Sequence, residues 1–482
     1  MAILSIDQGT TGTTAVLVGT EGDILSKAYQ EFQQYYPQQG WVEHDPEEIW
    51  GTVEACIAEI ISSNVEPIDA IGITNQRETT MIWDAETGRP VYNAIVWQCR
   101  RTASICEALR PHEEVIRFKT GLPLDAYFSG TKVQWILNNA TLADGDNLRF
   151  GTMDTWLIWK LTGGDLHATD HTNASRTMLY NIHEKCWDPE LCKLLQVPMD
   201  ILPDIRTSSG DYGVVSTIPS LNKVPILGVA GDQQASLFGQ QCFQRGETKN
   251  TYGTGCFIMM NTGEEAIQSE FGLITTVAAN PEGQPCYALE GSIFIAGAAI
   301  QWLRDELGLI SEAAESEAAA RSVPDNNGVY LVPAFTGLGA PHWDMEARGL
   351  LTGLTRGSNK NHIIRASLEA MAYQTLDVIK TLEKEIGEKL TGLAVDGGAT
   401  TNEFLMQFQA DMLEIDVHKS QYIETTALGA AYLAGLQAGF WDQQTLKSFA
   451  TQKSTFHPEM TRDQRELLIQ GWNSAIGQVV SK

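Results

Sequence analysis

The sequence is poor in positive charge. It has 33 Lys and Arg against 60 Asp and Glu, a formal net charge of −27. Such an acidic surface repels phosphate backbones and anionic lipids, so we expect no nucleic-acid partner. There is also no apolar run long enough to cross a bilayer, and the N-terminus shows neither a basic region nor a cleavage site. We therefore expect no stable membrane insertion and a cytoplasmic location.

Two further absences exclude particular chemistries. No Gly-x-x-x-x-Gly-Lys-Ser/Thr motif occurs, so a phosphate site of the Walker type is excluded. The eight cysteines form no Cys-x-x-Cys pair and show no zinc-binding spacing. We interpret them as buried free thiols in a reducing compartment.

The length predicts more than one domain. A chain of 482 residues exceeds what one hydrophobic core normally supports, and 43% hydrophobic residues suffice for sizeable cores. Residues 240–246 have the character of a linker between halves. We therefore expect an N-terminal domain over 1–245 and a C-terminal domain over 246–482.

The chain is organised around residues 3–18, where two short apolar runs flank a turn of one acid, two glycines and four threonines. The apolar runs are typical of strands. Glycine-rich turns present backbone amides to anions, and threonine hydroxyls add donors. Asp7, at the end of the first strand, offers a hard oxygen ligand for Mg2+. The alternative from this stretch alone is a hairpin without a ligand.

Similar elements recur later in the chain. A strand ends in Gly-Asp-Gln at 231–233, and another ends in Asp-Gly-Gly at 396–398. Three such strand ends are typical of a nucleotide held in a cleft between two α/β halves. The strand–turn–strand pattern at 247–257 resembles the opening hairpin, which predicts duplication of one α/β unit.

Other stretches give more local predictions. Arg77 and Glu78 follow a buried strand, where the pair could hydrogen-bond polyol hydroxyls as donor and acceptor or belong to a solvated loop. The patterns predict helices over about 46–62, 291–303 and 362–390. The polar stretch 169–180 is interpreted as a structural loop.

Six motifs together resemble the FGGY carbohydrate kinase family, within the actin–hexokinase–sugar kinase ATPase fold. They are Asp-Gln-Gly-Thr-Thr at 7–11, Asn-Gln-Arg-Glu-Thr at 75–79, Ala-Tyr-Phe-Ser-Gly-Thr-Lys at 126–132, Gly-Asp-Gln-Gln at 231–234, Thr-Tyr-Gly-Thr-Gly-Cys-Phe at 251–257 and Val-Asp-Gly-Gly at 395–398. The resemblance implies two duplicated actin-like, ribonuclease H-like α/β domains with the active-site cleft between them. The implied activity is ATP-dependent phosphorylation of glycerol to sn-glycerol 3-phosphate, by a homodimer or homotetramer.

The resemblance also implies roles for individual residues. The residues expected to contact glycerol are Arg77, Glu78, Trp97, Tyr127, Asp232, Gln233 and Phe257. Those expected to contact ATP are Thr10, Thr11, Gly12, Thr254, Gly297, Gln301, Gly398 and Asn402. Asp7 would serve Mg2+, and Asp232 would be the catalytic base. The structural alternative for Asp232 is a cap on the helix that starts near Gln234.

The chain departs from the family pattern at two places. Gly-Thr-Thr at 12–14 stands where the family usually has Ser-Ser-Arg, so a cation near the phosphates is missing. Ser-Leu-Asn-Lys at 220–223 stands where some bacterial members carry Gly-Gly-Thr-Arg for a sugar bisphosphate effector. Two alternatives stay open: a kinase for another polyol or ketose, and a non-catalytic nucleotide-binding regulator on the same fold.

Overall fold

The computed structural model describes residues 1–63, 66–142, 147–449 and 453–480, and strands and helices alternate along this part of the chain. The strands are β1 (Ala2–Gln8), β2 (Gly12–Gly19), β3 (Ile24–Glu31), β4 (Glu43–His44), β5 (Ile68–Asn75), β6 (Met81–Asp84), β7 (Ala94–Ile95), β8 (Leu148–Gly151), β9 (Ala168–Asp170), β10 (Tyr180–Asn181), β11 (Cys186–Trp187), β12 (Asp204–Arg206), β13 (Ile226–Gly231), β14 (Thr248–Tyr252), β15 (Cys256–Gly263), β16 (Ile274–Ala279), β17 (Pro285–Ile293), β18 (Tyr330–Val332), β19 (Leu350–Thr352), β20 (Gly392–Asp396), β21 (Asp416–Ser420) and β22 (Lys453–Phe456).

The α-helices connect these strands and cover the sheets. They are α1 (Pro46–Ser63), α2 (Ala103–Leu109), α3 (Glu113–Thr120), α4 (Ser129–Asn139), α5 (Met153–Thr162), α6 (His171–Ala174), α7 (Pro189–Leu194), α8 (Asp232–Gly239), α9 (Gly297–Asp305), α10 (Glu315–Arg321), α11 (Lys360–Ile386), α12 (Glu403–Leu413), α13 (Thr425–Ala438), α14 (Gln443–Phe449) and α15 (Arg462–Ile476). In the described residues, no helix is long and apolar enough to cross a membrane.

The first large sheet has the strand order β13-β5-β1-β2-β3. Strands β1, β2 and β3 pair antiparallel, whereas β5 and β13 add in parallel on the other side of β1. Strand β1 is almost wholly buried because it lies at the centre of the sheet, which explains its continuous apolar run. The carboxyl ends of β1, β5 and β13 therefore meet at one edge of the sheet.

The second large sheet repeats this topology. Its order is β16-β17-β15-β14-β20-β21-β22. Strands β14, β15 and β17 pair antiparallel, and β20 and β21 add in parallel on the other side of β14. Strands β14 and β15 thus correspond to β1 and β2. The predicted duplication of an α/β unit is confirmed.

Helices α8 and α13 lie between the two sheets. In α8, Ala235 and Phe238 pack in a core with residues of the first sheet, and Leu237 packs in a core with Met259 and Ala288 of the second. Helix α13, although it lies between β21 and β22 of the second sheet in sequence, packs in the same core as Ala235. The division into 1–245 and 246–482 stays a prediction, because α13 belongs to the second range in sequence but packs on the sheet of the first. Residues 481–482 lie outside the described residues.

Three local predictions differ from the structure. The helix predicted over 291–303 starts too early, because β17 continues to Ile293 and α9 runs from Gly297 to Asp305. The helix predicted over 362–390 ends at Ile386, where Gly387 adopts a left-handed conformation with φ 72°. Cys186 is exposed, so the prediction that all the thiols are buried is wrong for this residue.

Candidate active site

The first lobe is the part of the protein around the sheet β13-β5-β1-β2-β3, and the second lobe is the part around the sheet β16-β17-β15-β14-β20-β21-β22. The first lobe brings the ends of β1, β5 and β13 to one edge of its sheet. Asp7 ends β1, Arg77 and Glu78 follow β5, and Asp232 follows β13 as the first residue of α8. In α/β sheets, the crevice at the carboxyl ends of parallel strands is the usual place for a ligand. The structure thus assembles polar residues that are up to 225 positions apart in the sequence.

Arg77 is the centre of a buried polar cluster. Its Nη1 and Nη2 atoms donate to the two carboxylate oxygens of Glu290 at 2.6 and 3.0 Å. Its Nε atom lies 3.2 Å from Oδ1 of Asp232. The guanidinium also donates to the amide oxygen of Gln234 at 3.2 Å and to the hydroxyl of Tyr127 at 3.4 Å. A single side chain therefore joins the first sheet to the second through Glu290 on β17.

A second arginine, Arg176, completes this cluster. Its Nε atom donates to Glu78 at 2.7 Å, and Nη2 donates to Glu290 at 3.2 Å. Its Nη1 atom has no partner in the described residues. The two arginines and two glutamates are at most 2% exposed and balance one another in charge. A buried charge is tolerable only when it is paired in this way.

The sequence did not identify Arg176 or Glu290. The interpretation of 169–180 as a structural loop is wrong in part, because the stretch contains α6 and overlaps β9 and β10. Arg176 lies in the connection between α6 and β10, with its side chain fully buried. The available signal for Glu290 was an acid inside the otherwise apolar run of β17. Nothing in the local pattern gave a corresponding signal for Arg176.

Asp232 differs from this cluster because its side chain is 31% exposed. Its Oδ1 atom accepts from the backbone N–H of Gln233 at 2.7 Å and also lies near Arg77. In the part of the chain that the structure describes, no group donates to Oδ2. Burial raises the pKa of Asp232, Arg77 opposes this effect, and Glu78 adds to it. The helix begins at Asp232 with Gly231 as its N-cap, so the capping alternative is not observed.

Aromatic side chains stand beside the polar cluster. The rings of Trp97 and Tyr127 meet edge to face, with centroids 5.6 Å apart. Phe257 is half-buried on β15, where the antiparallel register places it opposite Thr251 and Ser292. Directly opposed residues share one face of a sheet. Trp97 and Tyr127 thus form an aromatic wall by contact, whereas Phe257 lies on the second lobe, on the sheet face that also carries Thr251 and Ser292.

The first-lobe residues predicted to bind the nucleotide lie in the β1–β2 hairpin. The Thr10 hydroxyl accepts a hydrogen bond from the Trp97 indole at 2.9 Å, which connects it to the aromatic wall. Thr11 is exposed at the tip of the turn. Packing alone requires glycine at position 12, because a Cβ atom there would lie 2.7 Å from the carbonyl oxygen of Gln30 and from the Tyr29 ring. Gly12 would thus be needed even without a ligand.

The predicted second-lobe residues surround the β14–β15 turn. The carbonyl oxygen of Thr254 accepts from two amides at the start of α9, on either side of Gly297. A Cβ atom at Gly297 would lie 2.6 Å from the Gly253 oxygen, so this glycine allows close packing. Gln301, one turn further along α9, is exposed.

The turn after β20 lies at the same edge, because Thr251 and Asp396 pair in adjacent strands. A Cβ atom at Gly398 would meet nothing within 4 Å, which leaves room beside this backbone. Asn402 caps α12 by accepting from Leu405, and its amide nitrogen donates to Ser316. Its side chain is therefore already held by the protein.

Asp7 is the candidate metal ligand. Its pKa is raised to about 7, first by burial and then by the negative charges of Asp232 and Glu424, while Lys27 lowers it. A bound cation would be attracted to the Asp7 carboxylate and to the negative charges around it. Among the described residues, no group of three or more His, Cys, Asp or Glu could hold a metal ion. Mg2+ commonly needs only one or two protein carboxylates when phosphates supply the remaining ligands, so the site fits it.

Comparison with solved structures defines the class of protein. The chain superposes on a glycerol kinase of Plasmodium falciparum with ADP at a TM-score of 0.93 and 37% identity, covering 100% of this chain and 98% of that one. A xylulose kinase of Lactobacillus acidophilus superposes at 0.88 with 22% identity, over 99% and 97% of the two chains, and supports the fold alone. Two repeated lobes around a polar cleft define a two-lobed kinase of the actin-like ATPase fold.

Sequence comparison then gives the family. Residues 2–239 match the N-terminal domain of the FGGY family of carbohydrate kinases, and residues 248–438 match its C-terminal domain. A glycerol kinase of Petrotoga mobilis is 56% identical over 484 residues, which cover 98% of this chain and 97% of the relative. Glycerol kinase 2 of Thermotoga maritima is 55% identical over 486 residues, 99% and 98% of the two chains. The chain belongs to the FGGY family of carbohydrate kinases.

Proposed function

We propose that this protein is a glycerol kinase, which transfers the terminal phosphoryl group of ATP to glycerol and releases sn-glycerol 3-phosphate and ADP. The observation that carries the proposal is the orientation of Asp232 at the edge of the Arg77 cluster. The Gln233 N–H donates to Oδ1, Arg77 lies beside this oxygen as an ion-pair partner, and Oδ2 is left for a substrate hydroxyl. The full-length relatives named glycerol kinase support the choice of substrate.

Glycerol recognition would follow from the paired charges. A hydroxyl both donates and accepts, so a polyol needs neighbouring protein groups of opposite hydrogen-bonding character. Arg77 supplies donors and Glu78 supplies acceptors from consecutive positions of one loop. Trp97 and Phe257 would pack on the carbon face of the substrate, and Tyr127 would complete the wall. Closed by Trp97 and Phe257 in this way, the site would favour three carbons over a longer chain.

The chemistry would then require positioning and one proton transfer. The substrate oxygen forms a bond to the terminal phosphorus as the bond between that phosphorus and the leaving ADP oxygen breaks. Oδ2 of Asp232 accepts the hydroxyl proton, and the raised pKa of this carboxyl suits a base. Arg77, at 3.2 Å from Oδ1, fixes the orientation of the carboxylate.

The nucleotide would bind between the two hairpins. Thr10, Thr11 and the amides near Gly12 would meet the phosphates from the first lobe. The proposed second-lobe contacts are Thr254, Gly297, Gln301, Gly398 and Asn402. Bound with the nucleotide and held by Asp7, Mg2+ would supply positive charge for the phosphate oxygens.

A substrate panel tests the proposal. Purified protein is incubated with MgATP and glycerol, erythritol, xylulose or gluconate, and ADP release is measured, with the Asp232→Asn variant as control. We expect the highest kcat/KM with glycerol and a phosphorylated product that co-elutes with sn-glycerol 3-phosphate. A higher kcat/KM for a ketose would assign the protein to another activity of the family. Nucleotide binding without ADP release from any substrate would indicate the regulator alternative.

Assembly and location complete the proposal. We expect a homodimer or homotetramer, which light scattering after size-exclusion chromatography measures directly. Because the reaction consumes ATP, we expect it to take place in the cytoplasm.

A further inference from the structure

Lys249 is a buried lysine that the reaction described above does not use. It lies on β14 of the second lobe and is 0% exposed. Its Nζ atom donates to Oε1 of Gln233 at 2.5 Å and to Oγ1 of Thr251 at 2.8 Å. Both partners are neutral. Lysine is almost never fully buried unless it is paired, so this placement calls for a specific reason.

Charged groups surround Lys249 from both lobes. Burial lowers its pKa below the ordinary value, and Arg77 adds to this effect. The carboxylates of Asp396, Asp232 and Glu290 act in the opposite direction and favour the ammonium form. Asp396 ends the neighbouring strand β20, and Glu290 lies on β17. Lys249 thus stands within the electrostatic field of the cleft, although none of these carboxylates is its direct hydrogen-bond partner.

The contact with Lys249 determines how the amide of Gln233 is oriented. A glutamine amide has an oxygen that accepts and a nitrogen that donates, and its two orientations have almost the same shape. An ammonium group has donors only, so the amide oxygen must face Lys249. The Nε2 group then points away from it, and it makes no hydrogen bond within the described residues. Gln233 therefore presents a free donor next to Asp232.

We propose that Lys249 is a positioning residue, which holds the Gln233 amide so that Nε2 donates to a substrate hydroxyl oxygen. This inference rests on the proposed function, because it concerns recognition of the same polyol. Without the ammonium group, Gln233 has no preferred orientation, and its oxygen faces the substrate part of the time. Because Lys249 and Gln233 belong to different lobes, this orientation exists only where the lobes meet.

A double-mutant cycle tests the proposal. The variants are Lys249→Met, Gln233→Ala and the combination, each compared with the wild-type protein. We expect Lys249→Met to raise the glycerol KM roughly 10-fold, the scale of one lost hydrogen bond in a buried site, with less than about a twofold change in ATP KM. In the Gln233→Ala background, the same substitution should change glycerol KM by less than about twofold, because the group it orients is gone.

Further variants keep the test decisive. Lys249→Gln preserves polarity if Lys249→Met fails to fold; because its amide can either donate or accept, it no longer forces one orientation of Gln233, and it should raise glycerol KM, but by less than Lys249→Met. Gln233→Glu retains a partner for Lys249 but lacks the donor, so it should be as weak for glycerol as Gln233→Ala. Equal effects on the KM of glycerol and of ATP, or full additivity in the double variant, would overturn the proposal.

The wild-type assay separates this inference from the proposed function. If wild-type protein phosphorylates a different polyol of the panel, the proposed substrate is wrong, and the same cycle with that polyol still tests Lys249. If no polyol is phosphorylated, both proposals are overturned.

Discussion

Arg77 and Glu290 form a bidentate ion pair between the two lobes. The nitrogen–oxygen distances are 2.6 and 3.0 Å, and both side chains are at most 2% exposed. Arg77 follows β5 in the first lobe, and Glu290 lies on β17 in the second. Bidentate pairing fixes the plane of the guanidinium. The Nε atom of Arg77 lies 3.2 Å from Oδ1 of Asp232 as its ion-pair partner, so the second lobe helps to position the proposed base in the first.

This relationship predicts a large stability loss for Glu290→Gln. Arg77 and Arg176 would both lose an anionic partner while they remain buried. Removal of one member of a buried ion pair typically costs about 3–5 kcal/mol. The free energy of unfolding, from urea titration, measures the effect. The exposed Glu264→Gln serves as control and should change it by less than about 0.5 kcal/mol. A loss as small as that of the control would show that Glu290 is dispensable for the cluster.

Asp232→Asn should preserve the fold and glycerol binding but remove most phosphoryl transfer. Asparagine keeps an oxygen for Arg77 and for the Gln233 amide, but it cannot accept the hydroxyl proton. We expect kcat to fall by roughly 10²–10⁴. Steady-state rates measure turnover, and calorimetry measures glycerol affinity. Near-normal kcat in the variant would exclude Asp232 as the base.

Glu78→Gln should raise the glycerol KM and leave nucleotide binding almost intact. Glu78 accepts from Arg176 at 2.7 Å, and its charge balances the two arginines. The amide would present a donor where the substrate hydroxyl needs an acceptor. KM for glycerol and Kd for ADP are the two measurements, with Glu264→Gln again as control. An equal loss of ADP affinity would assign Glu78 a structural role only.

Thr14→Arg should affect nucleotide handling rather than glycerol affinity. The hairpin register pairs Thr14 with Asp7, so the two side chains share one face of the sheet. A guanidinium there would meet the phosphates with a permanent positive charge. We expect tighter ADP binding by calorimetry or a modestly higher kcat, with glycerol KM unchanged. Thr14→Gln, which introduces a long but uncharged side chain, is the control. If the Arg and Gln variants behave alike, position 14 does not reach the phosphates.

Asp154→Asn should reduce the pH dependence of stability. Asp154 is fully buried, and burial together with the charge of Asp170 raises its pKa to about 7. The folded protein therefore keeps this proton up to a higher pH than the unfolded chain, for which the ordinary value is 3.8. The stabilisation that the protonated Asp154 carboxyl contributes to the folded state is complete below about pH 4 and is lost as the pH rises towards 7.

Urea titrations of the Asp154→Asn variant between pH 4 and pH 8 test this sign. Relative to the variant, the wild-type protein should lose up to about 1.4 kcal/mol per pH unit as the pH rises. The exposed Asp165→Asn is the control and should follow the wild-type curve. A parallel pair of curves for Asp154→Asn and the wild type would mean that Asp154 does not titrate in this range.

Local sequence patterns predicted much of the framework. Helix α1 begins at Pro46 and ends at Ser63, close to the predicted 46–62, because Asp-Pro-Glu-Glu is a strong N-terminal signal. The three strand ends with Asp and Gly are those of β1, β13 and β20. The start of the helix predicted over 291–303 is wrong because the small and apolar residues there have no clear period, so the end of strand β17 could not be separated from helix α9.

The sequence by itself determined the hairpins, the strand ends and the placing of Asp7, Arg77 and Asp232 on them, because turn residues and apolar runs act between neighbours. Only the tertiary structure decided that Arg77 pairs with Glu290, 213 residues away, and that Gln233 meets Lys249. Such choices depend on how the two sheets pack around α8. A buried charge takes whichever partner that packing brings within hydrogen-bonding distance, and no local pattern specifies that partner.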